Sequence, residues 1–105
     1  MIKRIKDFLK KKPKVKISYY ENGQKEFEVW YLNGKRHRED GPAVQRWYPN
    51  GQKKSESWWL YDEKYSRKEW IKKLKEIGSP HYEEQKEDYE YYKIRKDFIK
   101  KMEMN

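Results

Sequence analysis

Cysteine is absent from these 105 residues, and histidine occurs only twice, at His37 and His81. Without thiols there is neither a disulfide framework nor a thiolate zinc centre, so packing alone must hold the fold and a reducing compartment is the simpler setting. Long apolar runs are missing as well. Ile2, Ile5, Phe8 and Leu9 are interrupted by Lys and Asp, which excludes a signal-peptide core, and no stretch approaches the ~20 apolar residues of a membrane helix. A soluble, cytoplasmic protein with no membrane span is expected. Glycine is scarce, and each of Gly23, Gly34, Gly41, Gly51 and Gly78 falls where a turn or a helix stop is needed. No phosphate-cradling glycine loop, nucleophile elbow or HExxH sequence appears, so neither an enzyme nor a cofactor is expected.

Charge and aromatic rings are what the chain does have. Charged residues make up 43% and hydrophobic ones 34%, a balance that by itself drifts toward disorder. Five Trp and ten Tyr oppose that drift, because rings bury much area per residue and fit pleated sheets. The length suits one domain. Net charge is +9, unevenly spread: residues 1–16 hold eight Lys/Arg against Asp7 alone, whereas residues 17–65 hold eight of each sign. An electrostatic attraction to nucleic acid or anionic lipid therefore concerns the N-terminal arm first.

Asn-Gly follows an aromatic residue at positions 22, 33 and 50, and Asn-Gly is the strongest short hairpin signal. Two imperfect units of about 28 residues begin at Tyr20 and Tyr48, and the second ends in a decayed turn, Leu60-Tyr61-Asp62-Glu63. These signals predict an α+β fold: an antiparallel β-meander of about four main strands, with a short N-terminal helix and two C-terminal helices. The parts are a basic amphipathic arm over 1–14, the meander over 15–65 and a helical segment over 66–105. Within residues 25–32, Phe27, Val29 and Tyr31 share one face and Glu26 and Glu28 the other. Trp30 and Leu32 fall on the Glu face, so a helix is expected to cover it. The natural cover is the helix opened by the capping box Ser66-Arg67-Lys68-Glu69, whose Trp70, Ile71, Leu74 and Ile77 line one side and which Gly78 stops. Ser79-Pro80 starts the last helix, which is longer than the sheet needs; part of it is expected to project, with a homodimer through it as one use.

The aromatic-X-Asn-Gly turns, together with residues 37–43, His-Arg-Glu-Asp-Gly-Pro-Ala, resemble the divergent MORN-type repeats of small bacterial and bacteriophage proteins, some of them antitoxin components. The likeness covers about residues 18–75, and only one full His-Arg-Glu-Asp-Gly-Pro-Ala copy is present. It implies consecutive β-hairpins in an elongated antiparallel sheet and a binding role without catalysis.

The sequence thus points first to a non-enzymatic protein-binding module, a small phage or mobile-element accessory protein that inhibits a host protein, such as a CRISPR-type defence system, or a cognate toxin. Its candidate contact residues are Arg36, His37, Arg38, Arg46, Trp47 and Trp58, since Arg and aromatic rings dominate interface energetics. The alternative is nucleic-acid binding through Lys3, Arg4, Lys6, Lys10, Lys11, Lys12, Lys14 and Lys16, aided by sheet Arg, Trp and Tyr. The cluster His37, Glu39, Asp40 is read as a turn in which Asp40 makes an Asx-type bond and His37 bonds nearby backbone, not as a metal site. On that reading His37→Ala costs no more than about 1–2 kcal/mol.

Overall fold

A computed structural model describes residues 12–103. The expected N-terminal helix, with Lys3, Arg4, Lys6, Lys10 and Lys11, lies outside the described residues. The remainder is α+β. Six strands, β1 (Lys14–Tyr19), β2 (Lys25–Leu32), β3 (Lys35–Arg36), β4 (Val44–Trp47), β5 (Lys53–Leu60) and β6 (Glu63–Tyr65), precede helices α1 (Arg67–Glu76) and α2 (Tyr82–Glu103). All pairings are antiparallel, in the order β1-β2-β4-β5-β6, with β3 pairing the C-terminal end of β2. Four strands were too few: β3 and β6 are short arms of two tight hairpins.

The opening turns of the two 28-residue units fold alike, bond for bond. In the first, Tyr20 N–H donates to Gln24 O at 2.8 Å, Gly23 N–H to Tyr20 O at 3.0 Å, and Gln24 N–H to Asn22 Oδ1 at 3.0 Å. In the second, Tyr48 N–H donates to Gln52 O at 2.8 Å, Gly51 N–H to Tyr48 O at 2.9 Å, and Gln52 N–H to Asn50 Oδ1 at 3.0 Å. Each glycine sits at φ +88°, a conformation that costs it nothing and would strain any L side chain. A bulge follows each turn, and each is succeeded by the same i,i+3 ion pair, Lys25 with Glu28 and Lys53 with Glu56.

The other two turns are the primed two-residue kind. Asn33 and Gly34 lie at φ 51° and 78°, and their counterparts 28 residues on, Tyr61 and Asp62, lie at φ 49° and 69°. Asp tolerates that conformation better than most residues, but Tyr is a poor choice for it. Long-range bonds compensate: Asp62 Oδ1 accepts both the backbone N–H (2.9 Å) and the Nε–H (3.0 Å) of Arg36.

Among the described residues, helices cover one face only. Leu60, Trp70, Ile71 and Leu74 form the buried core, with Trp58, Tyr65, Tyr82 and Tyr89 packed around it. This is the face of Glu28, Trp30 and Leu32, as the break in alternation along β2 implies. The Ser66 hydroxyl accepts Glu69 N–H at 3.2 Å, which fixes the start of α1. Ile77 stands exposed at the helix end, outside the buried stripe. α2 begins two residues after Pro80 and docks through Tyr82, Gln85 and Tyr89. Its distal half projects: Ile94 is 70% exposed and Phe98 63%, and the molecule measures 63 × 38 × 19 Å. No described helix is long and apolar enough to cross a membrane.

Candidate functional site

Between β3 and β4 the chain leaves the sheet for residues 37–43 and returns, and this excursion ties the two layers together. Trp30 N–H donates to Ala43 O at 2.8 Å and His37 N–H to Trp30 O at 3.1 Å, closing its neck. From the helices, Trp70 Nε1–H donates to Arg38 O at 3.0 Å and Gln85 Nε2–H to Asp40 O at 3.1 Å. His37 is 3% exposed. Its Nδ1 accepts the backbone N–H of Tyr61 at 3.1 Å. A backbone N–H can only donate, so the ring proton is on Nε2, where it is given to Glu39 Oε2 at 2.9 Å. Both nitrogens are thereby used.

Arg38 also faces inward. Its guanidinium lies 3.9 Å from the centre of the Trp30 ring, donates to Asp40 Oδ1 at 2.8 Å and reaches Pro42 O at 3.2 Å. Asp40 therefore spends its carboxylate on Arg38, and its backbone carbonyl on Gln85, in place of the expected Asx bond. Gly41 has no positive φ. It supplies room instead, since a Cβ there would stand 3.0 Å from Arg38 Cζ.

Two carboxylates of this knot titrate low. Burial pushes Glu28 up, but the Trp30 indole N–H, the Lys25 ammonium and Arg38 outweigh it, so Glu28 stays below the ordinary 4.5. The His37 hydrogen bond holds Glu39 below 4.5, against its burial and with help from Ser79 and His81. A depressed folded pKa stabilises above the unfolded value and loses that contribution as pH falls through the folded one. Thermal melts from pH 7 to 3 are expected to show stability dropping below about pH 4.5, with a shallower drop in Glu28→Gln. Parallel pH profiles for the two proteins would contradict the assignment.

Strand register sorts the candidate residues onto two faces. Arg36 pairs with Tyr31, Arg46 with Phe27 and Ser55, Val44 with Val29 and Ser57, and Trp59 with Lys64. Paired residues share a face, so Arg36 and Arg46 lie on the face opposite the helices, as do Lys14 and Lys16, which pair with Tyr31 and Val29. Of the other sequence candidates, Trp58 packs in the core beside Trp70 with ring centres 6.4 Å apart, Trp47 lies under Lys25 at 5.5 Å on the Glu28 side, and Lys12 leads into β1. The site residues that sequence reasoning missed are Tyr31, Trp59 and Lys64. Trp58 and Trp59 are neighbours of identical type, and only the register from Val44 to Ser57 tells which one faces out.

The open face carries a trough of about 400 Å³ floored by Val29, Val44, Ser55 and Ser57 and walled by Tyr31, Arg36, Arg46, Trp59 and Lys64, with one carboxylate, Glu56, at its border. Beyond Tyr31 a second hollow runs past Lys12 and Lys14 to the Asn33-Gly34 turn. Arg36 stacks 3.8 Å from the Trp59 ring centre, and Trp59 Nε1–H donates to Ser57 Oγ at 2.8 Å, fixing the indole. Acids near this face are engaged: Asp62 by Arg36, Glu56 by Lys53, and Glu26 by the Ser18 hydroxyl. Asp62 is held below its ordinary value by the backbone and side-chain hydrogen bonds of Arg36. Lys14, Lys16, Arg46 and Lys64 have no acidic partner among the described residues.

No protein-family model matches the chain, and comparison with curated proteins and with solved structures finds no match.

Proposed function

We propose that this chain is a non-enzymatic binding module that seats an anionic macromolecular partner on the open face of its sheet. The observation that carries the reading is the gathering of Lys14, Lys16, Arg36, Arg46 and Lys64 around half-exposed Tyr31 and Trp59, on the one face that no described element covers. The end of the basic arm and the sheet arginines, two separate candidates in the sequence, thus become one surface. The cluster of His37, Glu39 and Asp40 works as a structural knot, with both nitrogens of His37 committed. The Asn-Gly hairpins and residues 37–43 support placing the chain among MORN-type repeat proteins that act by occupancy. A second reading, a host or cognate protein as partner, is favoured by the projecting half of α2, where Tyr91, Ile94, Phe98 and Met102 stand exposed along one side.

The test uses heparin as a polyanion. Lys16 and Arg46 are exposed strand residues, so the double reversal Lys16→Glu/Arg46→Glu is expected to keep the melting temperature and to elute from heparin at clearly lower salt than the parent. Unchanged elution, with retention lost only when Lys3, Arg4, Lys6, Lys10 and Lys11 are neutralised, would refute the open-face reading.

A further inference from the structure

We infer that the partner is a single strand of nucleic acid, lying across the sheet along a row in which cations and rings alternate. The inference rests on the open-face reading above and adds the class of partner. The row runs from one sheet edge to the other: Lys14 on β1, Tyr31 on β2, Arg36 on β3, Trp59 on β5 and Lys64 on β6. Lys14 pairs with Tyr31, Tyr31 with Arg36, and Trp59 with Lys64. The join between Arg36 and Trp59 is made by Asp62 N–H donating to Arg36 O at 2.9 Å, Arg38 N–H donating to Trp59 O at 3.1 Å, and the guanidinium stack.

Neighbouring strands stand about 4.8 Å apart, so successive cations of the row, and likewise its two rings, are roughly 10 Å apart. An acidic peptide would be served by the cations alone. Rings set between cations at a regular interval suit a chain that alternates planar bases with phosphates, because every base has a face to stack and every linkage a charge to neutralise. A duplex hides those faces inside its stack, and a membrane surface has none to offer. Among the described residues the site is also open at both ends. The trough at Arg36 and Trp59 and the hollow at Lys12 and Lys14 meet at Tyr31, as a strand longer than the sheet is wide requires.

The test measures binding of the full chain to a labelled oligothymidylate of about 12 nucleotides, with its duplex, polyglutamate and phosphatidylserine vesicles as competitors. Expected are preference for the single strand, a log-log salt slope of about −1.4 for the two phosphates met by Lys14 and Lys64, Arg36 being already paired with Asp62, and a loss of at least about fivefold in Tyr31→Ala. Tyr31→Leu, which keeps apolar bulk on β2, should show the same loss with a parental melting temperature. The inference is overturned if the duplex, polyglutamate or vesicles compete equally well, or if both Tyr31 variants, folded, bind as the parent does. In those cases a heparin defect in Lys16→Glu/Arg46→Glu would still uphold the open face. An unchanged heparin profile would remove both.

Discussion

Trp70→Ala is expected to lower unfolding stability by about 3–5 kcal/mol, a large share of the roughly 5–15 kcal/mol that holds a domain together. Trp70 is fully buried, packs on Trp58 and spans the two layers. Its loss removes a large core volume and also leaves the Arg38 carbonyl without the indole N–H that satisfies it. Trp70→Phe keeps the six-membered ring but loses the pyrrole ring as well as the bond, so it should recover only part of the difference. Urea unfolding followed by circular dichroism measures both. A cost under about 1 kcal/mol for the alanine variant would mean that α1 does not hold the sheet.

His37→Ala is expected to cost about 2–4 kcal/mol, more than the 1–2 kcal/mol that the sequence alone suggests. The difference is burial and reach. His37 bonds across 24 residues to the strained Tyr61 turn, and its ring packs 4.3 Å from the Tyr61 ring. Removing it orphans a backbone N–H in the turn least suited to its own conformation. His37→Asn places an oxygen near the Nδ1 position and should recover part of the loss. Equal destabilisation by Ala and Asn would show that packing, not the hydrogen bond to Tyr61, is what His37 contributes.

Local chemistry was legible in the sequence wherever one residue type suffices to specify a conformation. Asn33-Gly34 turns as its composition dictates, Ser66 caps α1 and Gly78 takes the positive φ of a helix stop. The break that Trp30 and Leu32 make along β2 located the helix-covered face. The hairpin of Tyr61 and Asp62 was dimmer, because its positive φ values are held by Arg36 and His37 from a unit earlier and not by Asn or Gly. The site itself needed register. Arg46 and Trp47, or Trp58 and Trp59, are adjacent residues on opposite faces, and their assignment depends on pairings that no window of ten residues contains. Arg38 looked like a surface charge in sequence because its acceptors, Asp40 and Pro42, and the Trp30 ring beneath it come together only when residues 37–43 loop out.

Superposing the two 28-residue units by number sets Tyr65 through Ile71, the entry to α1, against His37 through Ala43. At the same point of the unit, the first copy loops out and returns as another strand, whereas the second turns into a helix that does not rejoin the sheet among the described residues. The helical pair thus stands, as a terminator, where a next loop would begin, with its first helix packed against β5 and β6. The length of the platform becomes a countable variable. A further copy of residues 20–47 inserted after Trp47 would meet its own turn, bulge and ion pair at both joints, extending the array by whole increments while the terminator stays the same.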